Sequence, residues 1–218
     1  SHHEEEVLRR ELPDARLTVL PLILQCPGRQ APLRELRDIC FIGGYRHQPN
    51  LDAVRYFIDA IWPIVHRRRP DLRFRIMGSH APADLCEMER DGIIVDGFVP
   101  DLATSLARCR LSVAPLRYGA GIKGKIGSSL SYGIPCVATT VAAEGMGLGP
   151  HDRVELADDP EIIAERIVEL CSDDAHWQRM SDAGMAFIVR EYSLETTADR
   201  LAAILGGLGL PTGRNPFA

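Results

Sequence analysis

Leu111-Ser112-Val113-Ala114-Pro115-Leu116-Arg117-Tyr118-Gly119-Ala120-Gly121-Ile122-Lys123-Gly124-Lys125 runs from an apolar stretch into a glycine-rich loop. Residues 124–132 then read as a helix, and Cys136-Val137-Ala138-Thr139 is a second apolar run. Short strands that are apolar almost throughout, separated by a helix, mark a parallel sheet buried on both faces. The unit recurs on either side. Asp38-Ile39-Cys40-Phe41-Ile42 ends in Gly43-Gly44. Leu51, Val54, Ile58, Ile61, Trp62 and Val65 follow at helical spacing, with Asn50 placed as the cap. A strand over 72–77 ends at Gly78, a helix covers 82–90, and Ile93-Ile94-Val95 leads into Gly97-Phe98-Val99. A helix covers 101–108, and Val154-Glu155-Leu156 is a further strand. Helices over 161–171, 174–190 and 193–205 close the pattern, and residues 206–218 read as a loose tail. This predicts an α/β fold: a Rossmann-like parallel sheet with helices on both faces, right-handed crossovers and C-terminal helices.

The first 37 residues break the pattern. They hold a charged helix over 4–11, a strand-like alternation over 16–20, and a connector with Pro21, Pro27, Gly28 and Pro32. One helix and one strand bury no core, so this stretch reads as the tail of something larger or a linker.

Composition narrows the function. Apolar residues make up 45% and charged residues 25%, so the chain is an ordinary globular one. The net charge of −5 argues against a nucleic-acid partner. No apolar run reaches the roughly 18 residues of a membrane span, and the N-terminus is too polar for a signal peptide. Six cysteines without a Cys-x-x-Cys read as reduced core thiols, which places the chain in the cytoplasm. Of 25 basic residues only two are lysine, Lys123 and Lys125, and both lie in the quoted loop.

Ligands of such sheets sit at the carboxyl ends of the strands. The segments of interest are therefore 43–47, 78–80, 97–99, 117–125 and 139–146. The loop Gly119-Ala120-Gly121-Ile122-Lys123-Gly124 matches G-x-G-x-x-G, with Glu144 20 residues beyond Gly124. That pattern is the fingerprint of an NAD(P)-binding domain of an oxidoreductase. Four residues between the strand and the first glycine, and the distance of Glu144 from its strand, count against it. A second reading is a diphosphate cradle: glycine amides and a helix N-terminus hold the anion, and Lys123, Lys125 and Arg117 supply charge. A third is a solvated helix start with incidental lysines.

The stretch 117–127, with Gly133-Ile134-Pro135-Cys136-Val137-Ala138-Thr139 and Ala143-Glu144-Gly145-Met146, resembles the C-terminal, donor-binding half of a group 1 (family 4) glycosyltransferase of the GT-B fold. Phe41-Ile42-Gly43-Gly44-Tyr45-Arg46-His47 with Pro49-Asn50-Leu51 is similar to the opening of that half, and 96–102 to a third block. The resemblance spans residues 38–205. It implies a retaining enzyme of polysaccharide biosynthesis that uses a nucleoside-diphosphate sugar and no cofactor or fixed metal. Residues 1–37 would be the end of the N-terminal acceptor domain plus linker, 38–192 the Rossmann-like nucleotide-sugar domain, and 193–218 a crossover helix and loose tail. The absent half would mostly bind the acceptor, and any membrane contact would be peripheral and made through it. This fragment alone would bind nucleotide weakly and transfer nothing.

By position, the resemblance puts Gly43, Gly44 and Arg46 at the phosphates. Gly78, Gly97, Phe98 and Val99 would stand at the base. Gly119, Ala120, Gly121, Lys123 and Lys125 would hold the diphosphate and sugar, the lysines being catalytic through leaving-group stabilisation. Arg117, His47 and Glu144 complete the donor-side set. The family's Glu-seven residues-Glu pattern falls on Ala120 and Ser128. Ser128 can still hydrogen-bond a ribose hydroxyl, but without charge. A degenerate, non-catalytic GT-B domain is therefore the remaining alternative.

Other features have structural readings. His2 and His3 lie in a solvated terminal run, and Arg67-Arg68-Arg69 ends a helix. His66, His151 and His176 read as surface residues, and Asp158-Asp159 and Asp173-Asp174 as helix caps. His80 joins His47 on the ligand-side loops. No zinc spacing stands out.

Overall fold

A computed structural model describes residues 1–89, 91–148 and 153–210, apart from the side chain of His2. The surface placement of His151 and the tail from 211 lie outside the described residues, and the helix expected over 82–90 spans only Ala83–Cys86. Six parallel strands form one sheet: β1 Asp38–Ile42, β2 Phe74–Met77, β3 Ile93–Gly97, β4 Cys109–Ala114, β5 Cys136–Ala138 and β6 Val154–Leu156. Their order is β3-β2-β1-β4-β5-β6, so the winding reverses between β1 and β4. That reversal opens a crevice at the carboxyl ends of these two strands.

Strands β1 and β4 lie at the centre because their side chains are buried on both faces. All six residues of β4 are buried, including Arg110. Arg110 is tolerated there because its guanidinium donates to the Leu170 carbonyl at 3.2 Å and pairs with Asp174 at 2.6 Å. Around the sheet lie α2 Gln48–Tyr56, α3 Trp62–Arg68, α4 Ala83–Cys86, α5 Leu102–Leu106, α6 Gly124–Ser131 and α7 Thr140–Ala143. The C-terminal helices are α8 Pro160–Ser172, α9 Asp174–Tyr192 and α10 Leu194–Gly207, and α1 His2–Glu11 precedes the sheet. The rings of Phe57, Trp62 and Phe74 stack at centroid distances of 4.3 to 6.3 Å under the β1–β2 side.

Several expectations need correction. The helix after β1 begins at Gln48, with Pro49 in its first turn and His47 as cap, so Asn50 does not cap it. A π-turn over Phe57–Ile61 joins it to α3, where Pro63 cannot donate to the carbonyl four residues back. Residues 16–20 alternate in exposure like a strand but pair with none, since no strand lies beside them. The connector is docked on the C-terminal part of the chain: Leu24 N donates to Tyr192 O at 2.8 Å, and Gly28 N to Ser131 O at 3.1 Å. Helix α10 continues to Gly207, two residues past its expected end.

Cys26 and Cys86 are exposed, so only Cys40, Cys109, Cys136 and Cys171 are core thiols. His66 is half-buried against Trp62, and His176 pairs with Glu155 at 3.2 Å; neither is a free surface residue. Asp159 and Asp173 do cap α8 and α9. Their neighbours differ: Asp158 accepts from Thr140, and Asp174 from Arg110.

Candidate anion site at the strand ends

The floor of the crevice is made by backbone. The Gly43 amide donates to the Met77 carbonyl at 3.0 Å, and the Gly78 amide to the Gly97 carbonyl at 2.7 Å. The loops after β1 and β2 approach so closely that a Cβ on Gly78, whose φ is +146°, would lie 1.7 Å from the Gly43 oxygen. A Cβ on Gly43 would meet Asn50 Nδ2 at 2.8 Å. These glycines exist because no side chain fits between the loops.

The two lysines stand on the other wall. Lys123 precedes α6 and is buried. Its Nζ donates to the carbonyls of Gly119 at 2.9 Å and Gly121 at 2.7 Å, so two of its three donors brace the glycine loop. Gly119 and Gly121 take the positive φ values, +122° and +80°, that this bracing requires. Lys125, in the first turn of α6, lies 4.5 Å over the Phe41 ring and donates to Asn50 Oδ1. Burial lowers the pKa of both ammonium groups, that of Lys125 to about 8. Among the described residues, no carboxylate lies within 4.0 Å of either one. A buried cation without a carboxylate is costly. Here both lysines belong to the N-terminal turn of α6, whose free amides favour an anion.

Asn50 is the member that sequence reasoning missed as a site residue. It is 8% exposed. Its Nδ2 donates to Gly44 O at 2.9 Å while its Oδ1 receives Lys125, so it ties the β1 loop to α6. The polar residue one turn into a helix after a Gly-Gly strand end was the available signal, and capping gave it a competing explanation.

The other predicted residues divide. Gly43, Gly44, Gly78, Gly97, Gly119, Gly121, Lys123 and Lys125 gather at the strand ends. Phe98 is 72% exposed and Val99 half-buried beyond β3. Arg46 and His47 are exposed at the rim. His80 sits there too, with a φ of +61°. Arg117 is not a free third cation in the cradle: its guanidinium pairs with Asp52 at 3.0 Å and lies 5.0 Å from the Tyr56 ring. Asp52 is one helical turn from Tyr56, so α2 offers both partners on one face. Ala120 is exposed and faces a groove under α1. Ser128 is half-buried on α6. Glu144 is exposed beyond α7 and 3.2 Å from His3 of α1. Among the described residues no cluster of His, Cys, Asp and Glu has the makings of a metal site, and no helix is long and apolar enough to cross a membrane. A cavity of about 910 Å³ lies elsewhere, between Leu17–Val19 and the Ala203–Ile204 side of α10.

Comparison with known proteins agrees with this layout. The family described as "Glycosyl transferases group 1" matches residues 37–173. An uncharacterized 44.6 kDa protein of the Klebsiella pneumoniae cps region is 22% identical over 164 residues, which cover 71% of this chain and 42% of that protein. Among solved structures, TarM superposes with a TM-score of 0.75 at 14% identity, covering 92% of this chain and 41% of TarM. A second TarM structure, from S. aureus, is of a complex with Fondaparinux, alpha-GlcNAc-glycerol and UDP. Sucrose-phosphate synthase of Thermosynechococcus elongatus superposes with a TM-score of 0.74 at 16% identity, covering 96% of this chain and 57% of the enzyme. The fold is that of one Rossmann-like half of such GT-B proteins, and the chain spans about two fifths of the Klebsiella relative.

Proposed function

Since the chain belongs to the group 1 glycosyl transferases, we propose that it is the donor-binding half of a retaining enzyme. The enzyme moves a sugar from a nucleoside-diphosphate sugar to an acceptor hydroxyl, in polysaccharide biosynthesis. Residues 38–192 form the donor domain, 1–37 end the acceptor half, and α10 crosses back towards it. One observation carries the reading: a buried lysine, Lys123, and a half-buried one, Lys125, stand without carboxylate partners at the switch point, beside a glycine floor and a helix N-terminus. An anionic ligand is the missing counter-charge.

The diphosphate lies on the Gly43–Gly44 turn and the start of α6. Lys125 takes the charge that grows as the sugar bond breaks, while Lys123 keeps the glycine loop shaped for it. Ser128 meets a ribose hydroxyl, Gly78 and the 97–99 backbone line the base, and Arg46 and His47 close the rim. The dinucleotide reading calls for an acidic residue at the tip of β5, where Thr139 and Thr140 stand instead. Ser128, lacking the charge of the family's usual glutamate, favours the degenerate reading as the second choice.

A thermal-shift panel of nucleoside diphosphates, their sugars and nicotinamide dinucleotides separates the three readings. Stabilisation by nucleoside diphosphates, lost in Lys123→Ala/Lys125→Ala, is expected. Stabilisation by NAD alone would sink the proposal, and a flat response throughout would favour the degenerate domain.

A further inference from the structure

We propose a second anion site, built on the donor reading above: a cavity beside the donor loop that binds a phosphoryl group carried by the acceptor. The cavity holds about 350 Å³, within the range of small-ligand sites. Ile122 and Gly145 bound it on the side of the candidate donor site, and Pro21 on the connector side. Arg153, Arg190 and Arg200 line the rest. Glu191 is the one carboxylate among its lining residues. It accepts from Arg190 Nε at 2.8 Å and from Arg200 at 2.6 Å. Two guanidinium groups thus share one carboxylate, and the third lines the same cavity without one. Among the described residues Arg153 has no carboxylate within 4.0 Å.

Two of the arginines are already placed. The Arg153 and Arg190 guanidinium carbons stand 4.9 Å and 5.7 Å from the ring of Phe187, which is buried. Tyr192 fixes the neighbouring wall by donating to Met146 O at 3.2 Å. Planar forks held on an aromatic face lose little freedom when they meet a phosphate bidentately. An anion also relieves the repulsion among the three cations.

Position assigns the anion to the acceptor. The cavity borders Ile122 and Gly145 and touches none of Gly43, Gly78 or Gly97. It therefore lies past the glycine loop, on the sugar side and away from the base. Pro21, on its other side, belongs to the stretch read above as the end of the acceptor half.

Nuclear magnetic resonance of this chain with 15N-arginine tests the site, with and without saturating UDP. Inorganic phosphate and glucose 1-phosphate are the two probes. The Nε–H signals of Arg153 and Arg200 are expected to shift with glucose 1-phosphate, at an affinity about tenfold or more above that for inorganic phosphate. Arg153→Gln/Arg200→Gln should weaken the ester about tenfold or more, with the UDP response intact and circular dichroism confirming the fold. Lys123→Ala/Lys125→Ala should do the reverse, losing UDP and keeping the ester. Unmoved arginine signals would overturn the site. Equal affinity for both probes would overturn its assignment to the acceptor. Arginine signals that move in a chain indifferent to UDP would leave the anion cavity standing and defeat the donor reading.

Discussion

Replacing Lys125 by methionine keeps the aliphatic stem and removes the half-buried charge. Burial lowers this ammonium's pKa from 10.5 to about 8. At about 1.4 kcal/mol per tenfold change in acidity, that displacement corresponds to about 3 kcal/mol. The folded value is the lower one, so between pH 8 and 10.5 the folded chain binds fewer protons than the unfolded chain. Stability therefore rises with pH through that window, and the full penalty is present below pH 8. Urea unfolding of both proteins at pH 7 and pH 10, under reducing conditions, isolates this lysine, because every other group titrates in both. The wild type should gain about 2 to 3 kcal/mol relative to Lys125→Met on going from pH 7 to pH 10. At pH 7 the variant should match or exceed the wild type, since the lost contact to Asn50 costs only about 1–3 kcal/mol. A stability difference that does not change with pH would refute the buried, unpaired cation and the need for an anion beside it.

Three further substitutions probe the same crevice. Gly78→Ala puts a Cβ on the Gly43 oxygen and should cost about 3 kcal/mol or more; a thermal melt lowered by less than about 6 °C would show that the loops can part. Asn50→Asp gives Lys125 a carboxylate, though its second oxygen loses the bond to the Gly44 carbonyl, so it should weaken UDP binding about tenfold; calorimetry showing unchanged affinity would separate Lys125 from the ligand. Ser128→Glu should tighten UDP binding several-fold through the ribose, and an unaltered dissociation constant would mean Ser128 does not face it.

The sheet was legible because its strands are apolar on both faces and each glycine run falls at a strand end. The order of strands was not, since periodicity carries no information on neighbours; the reversal between β1 and β4 emerges only when the helices pack. The lysine loop was legible from composition and topology together. Its internal division of labour was not. Lys123 turns back on its own loop because Gly119 and Gly121 present carbonyls inward, and Arg117 turns away because Asp52 and Tyr56 of α2 lie 61–65 residues upstream of it in the chain and beside it only in space. Asn50 was hidden by a local explanation, capping, that competed with a bond to Lys125 made 75 residues away.

Lysine labelled with 15N at Nζ gives two signals in this chain, because Lys123 and Lys125 are the only lysines it has. Following both through a UDP titration at several pH values tests the anion site most directly. Both signals should move, and the midpoint of Lys125 should climb from about 8 towards the ordinary lysine value as the diphosphate supplies its counter-charge. UDP that binds while both signals and that midpoint stay where they were would contradict the account.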